Sequence, residues 1–173
     1  MGKKVIRVSL SPDGIDKAIR ELEKYKQDFL EKVETYRRRM AEEIAASASF
    51  NFGSSIMEDT IKGGSRKPNV TVNVDERGSI SVVVANGEDA VWCEFGAGVY
   101  HNGSVGSSPN PYSKELGFTI GNYGKGYGKR NVWGYYDNGE LILTHGTPAS
   151  MPMYNATQEI TKKAIEIARE VWG

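Results

Sequence analysis

The chain has 173 residues, enough for one compact domain with its own core and too few for two full domains. Its 22 lysines and arginines balance 22 aspartates and glutamates, so affinity for nucleic acid, an anionic membrane or an acidic substrate would have to come from a local patch. A lone cysteine, Cys93, excludes an internal disulfide framework, and no run of about 18 apolar residues reads as a membrane span.

The opening, MGKKVIRVSLSPDG, carries neither the apolar stretch of a signal peptide nor the serine spacing of a myristoylation signal. The expectation is a soluble chain made in a reducing cytoplasm, without membrane contact. Lys3 to Leu10 alternates polar and apolar side chains, with Val5 off phase, and predicts a half-buried strand. Ser11-Pro12-Asp13-Gly14 then supplies the short oxygen side chains that accept hydrogen bonds from the free amides of a starting helix.

Apolar residues next fall at Ile19, Leu22, Tyr25, Phe29, Val33, Tyr36, Met40 and Ile44, in steps of three and four that line one helical face. A helix from about Ile15 to Ala48 would be on the order of 50 Å long, more than a small domain is wide. Any overhang carries its apolar stripe with it, so the helix has to bend back onto the domain or pack against a neighbouring subunit. The run Arg37-Arg38-Arg39 reads as part of a solvated face.

Phe50 to Pro68, with Gly53, Gly63, Gly64 and Pro68, reads as a break. Val70, Val72 and Val74, then Ile80, Val82 and Val84, alternate with other residues on either side of an Asp75 to Gly78 turn and predict a hairpin. After the turn Asn86-Gly87-Glu88-Asp89, Val91 to Phe95 is expected to add a third strand. Val91, Cys93 and Phe95 would face inward, and Trp92 with Glu94 the other way.

Gly96 to Arg130 holds nearly half of the chain's glycines together with Pro109, Pro111, Tyr100, Tyr112, Tyr123 and Tyr127. A connection of this length, about 97–131, is functional or disordered in most compact domains, and its aromatics argue against a plain linker. Val132 to Tyr136 and Glu140 to Thr144 form a second hairpin around Asp137-Asn138-Gly139. Ser150 or Met151-Pro152 opens a final helix with Met153, Ala156, Ile160, Ala164, Ile167 and Val171 on one face. The predicted fold is a single α+β domain over 1–173: a mainly antiparallel sheet of about five to six strands packed against a long N-terminal helix and a C-terminal helix.

Site chemistry is sparse. Cys93 with His101 and His145 lacks any nucleophile motif, and an inward Cys93 acts as a small buried hydrophobe. The two histidines with Glu94 and Asp137 have no metal-ligand spacing. Glu42-Glu43 and Glu88-Asp89 read as solvent-facing charge. In GNYGKGYGKR, Gly121 to Arg130, neither a Walker loop nor a dinucleotide fingerprint is complete. Tyr123, Lys125, Tyr127, Lys129 and Arg130 there make a secondary reading as nucleic-acid contacts, stacking and neutralising a strand. No catalytic, cofactor or metal residue is assigned. Trp92 and Trp133 suit core or interface equally, Glu94 suits a solvent-facing or an intersubunit position, and Gly96 permits a bend where the strand yields to the loop.

A long helix, a hairpin, then Val91-Trp92-Cys93-Glu94-Phe95-Gly96-Ala97-Gly98, a glycine-rich insertion, a second hairpin, and Gly146-Thr147-Pro148-Ala149-Ser150-Met151-Pro152-Met153 opening a last helix form a recognisable series. It resembles the small tail-completion and neck (head–tail joining) proteins of long-tailed bacteriophages. Glu94-Phe95-Gly96 and Pro148 to Met153 match that family's acidic-Phe-Gly motif and its proline-containing entry to the last helix. The insertion from about Gly98 to Val132 is longer than the family pattern. The resemblance implies a non-enzymatic virion protein at the head–tail joint, repeated around a ring. Its implied partners are tail-tube or tail-terminator and head-closure or adaptor proteins, with DNA contact secondary. Trp92, Glu94, Gly96, Tyr100, Tyr112, Tyr123, Tyr127 and Trp133 are then the expected assembly contacts.

Overall fold

The computed structural model describes residues 5, 7–60, 64–98, 108–116, 133–144 and 146–173. One helix dominates it. α1 spans Pro12–Ser54, 43 residues, and at 1.5 Å per residue is about 65 Å long. Ser11 caps it as the sequence predicts: its hydroxyl accepts from the Gly14 amide at 3.2 Å, and Pro12 sits at the first turn, where a missing N–H costs nothing. At the other end the helix runs past the expected Ala48, because Phe52, 2 % exposed, is an anchor of the core.

The strand expected at Lys3 to Leu10 does not form in the described part: 7–9 has no regular structure, and Val8 and Leu10 are exposed. Residues 1–4 and 6 lie outside the described residues. The expected break after the helix instead contains two short strands, β1 (Glu58–Thr60) and β2 (Gly64–Arg66), paired antiparallel.

β3 (Thr71–Arg77) and β4 (Ile80–Asn86) make the predicted hairpin, which packs on α1. Its register places Val72 opposite Ala85 and Val74 opposite Val83, so these four share one face. Val72 and Ala85 pack against the core. Ile80, Val82 and Val84 alternate as read but lie on the other face, with Asp75 opposite Val82 and Asn73 opposite Val84. The period was legible; the phase depends on pairing, which a single strand does not reveal.

The segment expected as a third strand is helical. α2 (Ala90–Phe95) is a short helix whose bonds run from Cys93 N to Asp89 O at 3.0 Å and from Gly96 N to Trp92 O at 2.7 Å. A run this short satisfies period two and period 3.6 almost equally, and the turn before it decides. Gly87, at φ 141°, brings its backbone so close to the Asn69 carbonyl that a side chain would collide, and from this turn the chain enters a helix. The consequence is a partial change of the predicted faces: Cys93 stays inward as read, while Glu94 turns inward and Val91 outward. Ala90, Cys93 and Glu94, spaced three and four apart, are buried, while Val91 is exposed.

β5 (Ala97–Gly98) follows. The second hairpin is β6 (Trp133–Asp137) with β7 (Glu140–Thr144), turned by Asn138 and Gly139 at φ 47° and 86°, the positive pair that an Asn-Gly turn provides. β8 (Gly146–Thr147) pairs with β5, and α3 (Pro152–Trp172) closes the fold. The chain is thus mixed helix and strand, with a long N-terminal and a C-terminal helix as predicted, but the single sheet of five to six strands is replaced. Among the described residues the strands fall into the β3–β4 pair, the β5–β8 pair and a four-stranded order β2-β1-β7-β6, all antiparallel. With α2 helical, no described strand continues the β3–β4 hairpin into a larger sheet.

α1 and α3 pack antiparallel. Ala41 and Ala48 of the one and Ala156, Ile160 and Ile167 of the other are buried, and the small side chains let the helices approach closely. Polar ties mark the register: Asn51 Nδ2 to the Pro152 carbonyl at 3.2 Å, Ser47 to Glu159 at 2.9 Å, Arg39 to Glu170 at 2.6 Å, and the Tyr36 hydroxyl to the Ala164 carbonyl at 3.3 Å. The seam ends where Tyr36 meets Trp172, ring centres 5.3 Å apart. N-terminal to it, α1 continues for about two dozen residues beyond the end of α3.

Candidate functional site

Two features stand out, a buried junction around Glu94 and the bare stretch of α1. The junction follows from the way α3 starts. Its N-cap, Met151, holds a left-handed backbone (φ 53°, ψ 51°) and supplies no side-chain cap, and Pro152 has no N–H to offer. The free amides that remain to be satisfied belong to Met153 and Tyr154. Glu94 takes both: Oε2 accepts from Met153 N at 2.8 Å and Oε1 from Tyr154 N at 3.0 Å. Asn110 Nδ2 adds a third donor to Oε1 at 2.9 Å. A carboxylate from α2 therefore caps α3, at the end where the helix dipole favours negative charge.

Glu94 is only 9 % exposed, and burial pushes its pKa above the ordinary glutamate value while the Met153, Tyr154 and Asn110 donors oppose that push. The main chain locks the same joint. The Cys93 carbonyl accepts from Ser150 N at 2.9 Å and from Met151 N at 3.2 Å, and the Ser55 and Ser150 hydroxyls meet at 2.7 Å. Thr147 donates its hydroxyl to the Met57 carbonyl. Gly96 leaves α2 at φ 82°, ψ 163°, a conformation that only glycine adopts at low cost, and turns the chain into β5.

Cys93 lies beneath this joint, fully buried, its sulfur 3.8 Å from that of Met57. Burial first, and the Asp89 charge second, push its thiol up to about 11, so little thiolate exists at neutral pH and its part is packing. Asp89 corrects the reading of Glu88-Asp89 as solvent-facing charge. Its side chain is 7 % exposed and accepts from both Arg66 guanidinium nitrogens, at 2.6 and 2.9 Å, and from Asn69 N at 2.8 Å. The Arg66 bonds hold its carboxyl below the usual aspartate value. Glu42 and Glu43 are exposed, as read.

Of the predicted contact residues, the structure brings Glu94, Gly96 and Tyr112 to the junction. Tyr112 is half exposed and meets Tyr154 edge-on, ring centres 6.1 Å apart. Trp92 is half-buried against the core. Trp133 lies in β6, its side chain outside the described residues. Tyr100, Tyr123, Tyr127, Lys125, Lys129 and Arg130, and with them His101 and His145, also lie outside the described residues. Asn110 was missed by sequence reasoning. It sits between two prolines, which signals a turn, but nothing local says that its amide will reach Glu94. That turn, 108–116, docks part of the insertion onto the body: Asn110 is buried and its Oδ1 accepts from Tyr112 N at 3.0 Å.

The second feature is the stripe on α1. Ile15, Ile19, Leu22, Phe29 and Val33 remain 39–55 % exposed although they continue the line that α3 covers from Tyr36 onward. An open groove of about 400 Å³, lined by Phe29, Ile165, Ala168, Arg169, Trp172 and Gly173, lies where α3 gives out. Among the described residues no group of three histidine, cysteine or acidic side chains could hold a metal, and no helix is long and apolar enough to cross a membrane. The chain matches no protein-family model, no curated protein and no solved structure.

Proposed function

We propose that this chain is a structural subunit of a tailed-phage or prophage virion, acting at the head–tail joint or in tail completion. It works by self-association into a ring and by contacts with tail-tube or tail-terminator and head-closure or adaptor proteins. Assembly takes place in the host cytoplasm, and the subunit ends in the virion.

The observation that carries the reading is the bare stripe of α1. A helix that runs past the end of α3 with five large apolar side chains exposed along one stripe is costly for a monomer and useful to a subunit. The Glu94 junction supports the same reading. It fixes α2, the start of α3 and the root of the insertion together, with chemistry that serves architecture. Glu94-Phe95-Gly96 and the proline-containing entry to α3, the two motifs that carry the family resemblance, meet at this joint. Ring closure requires one surface to meet a different surface on the next copy, and the root of the insertion at Tyr112 offers a second surface apart from α1.

Native mass spectrometry of the chain with head-closure and tail-tube proteins tests the proposal. The expected product is a closed complex with a fixed number of copies. A chain that joins neither protein and forms no ring at high concentration overturns it.

A further inference from the structure

We infer that two copies of the free chain pair antiparallel through the bare segment of α1, with Ile15 facing Val33, Ile19 facing Phe29 and Leu22 facing Lys26 of the second copy. The inference stands on the helix itself and does not need the virion reading.

Along α1, positions 15, 22, 29 and 36 and positions 19, 26, 33 and 40 form two interleaved heptad lines. All are apolar except Lys26. The two lines together are the seam of a coiled coil; among the described residues α3 covers its inner end, where Tyr36 meets Trp172, and Ile15, Ile19, Leu22, Phe29 and Val33 of the outer end stay 39–55 % exposed. The outer end is a continuation of an interface already built, which selects a helix as its cover.

Lys26 decides the orientation. In a parallel, in-register pair it would face its own copy inside an apolar seam, two ammonium groups with no counter-charge. Antiparallel, it faces Leu22, and its ammonium reaches past that side chain to Glu23, the next residue of the second copy, while its stem covers the leucine. The arrangement forms twice by symmetry. The remaining layers are wholly apolar, a small residue against a large one at Ile19 and Phe29. The same register brings Ile15 and Ile19 of the second copy to Phe29 and Val33, beside the groove that Trp172 and Ile165 line at the end of α3.

Size also fits. Half-exposed stripes of this kind placed face to face would bury on the order of 1,200 Å², the lower end of stable specific interfaces. The predicted dimer is therefore reversible. Being two-fold, it closes on itself and cannot extend into a ring, so it describes how the free chain covers its stripe before assembly.

Sedimentation of the intact chain at tens of micromolar tests this, beside Leu22→Lys and two single-cysteine additions, Ile19→Cys and Phe29→Cys. Cys93 stays in place, because it is buried. The wild type is expected to be dimeric, and Leu22→Lys to weaken the dimer by about 100-fold or more, since each copy loses a buried leucine. Leu22 is 55 % exposed, so the melting temperature of its monomer should change little. Under mild oxidation, Ile19→Cys and Phe29→Cys are expected to cross-link to each other when mixed and not to themselves. A monomeric wild type overturns the inference, as does a dimer that survives Leu22→Lys or a chain in which each cysteine variant links to itself. Assembly with a head-closure or tail-tube protein, without dimers of the free chain, also overturns it and leaves the virion reading standing.

Discussion

Glu94 shows how one side chain can hold a fold together without being visible as such in the sequence. Replacing it with alanine would strip the cap from Met153 and Tyr154 and leave Asn110 without its acceptor. We expect Glu94→Ala to cost about 2–4 kcal/mol, read as a fall in melting temperature. Glu94→Gln should cost less, because one oxygen survives, though its NH₂ then confronts an amide that wants an acceptor. Gly96→Ala should destabilise by about 1–3 kcal/mol through backbone strain alone, while the Glu94 hydrogen bonds stay in place. The two buried carboxyls give opposite pH signatures. Asp89 has a lowered folded pKa, so its contribution is present above its unfolded value and is lost as acid drives it through the folded one. Glu94 has a raised pKa, so its contribution is present below the unfolded value and declines as pH rises through the folded one. Denaturation midpoints measured across acidic pH should therefore flatten on the low side in Asp89→Asn and on the higher side in Glu94→Gln. Residue by residue, Cys93 was legible as a buried hydrophobe. Asn110 and Asp89 were not, because their partners lie 16 and 23 positions away in the chain.

Elements differ in how plainly they announce themselves. α1, α3 and both hairpins could be read from periodicity and turn chemistry because each repeats its pattern several times or carries an Asn-Gly or Ser-Pro-Asp-Gly signal. α2 could not. Its six residues present one turn and a half, too few to separate two periods, and only the path of the chain through Gly87 selects helix. The sheet failed for a related reason: strands announce their faces but not their neighbours, and with α2 helical the β3–β4 hairpin has no third strand beside it among the described residues. The bare part of α1 should also behave differently from the packed part. An isolated helix of about twenty residues is marginal in water, so amides of 16–32 should exchange hydrogen faster than those of 40–52 in dilute solution. Raising the protein concentration should slow the first group alone. Equal protection of both groups at high dilution would mean that the stripe is covered within its own chain.

Over the whole molecule, the architecture is an α1–α3 seam with a hairpin on one side, a joint at Glu94 that seats α2 and the root of the insertion, and a helix that runs beyond all of them. The overhang was legible from length alone, since a helix this long exceeds the width of a small domain. The joint was legible only as two separate motifs, and its geometry explains why an acidic-Phe-Gly segment and a proline-containing helix start belong together: one supplies the cap that the other lacks. An assembly subunit with this layout should exist in two states, its stripe covered by a second copy when free and by a neighbour when incorporated. Native mass spectrometry of the intact chain, alone and then mixed with head-closure and tail-tube proteins, observes both. The account predicts a dimer alone and a closed complex of fixed copy number in one of the mixtures, and a monomer in every sample would contradict it.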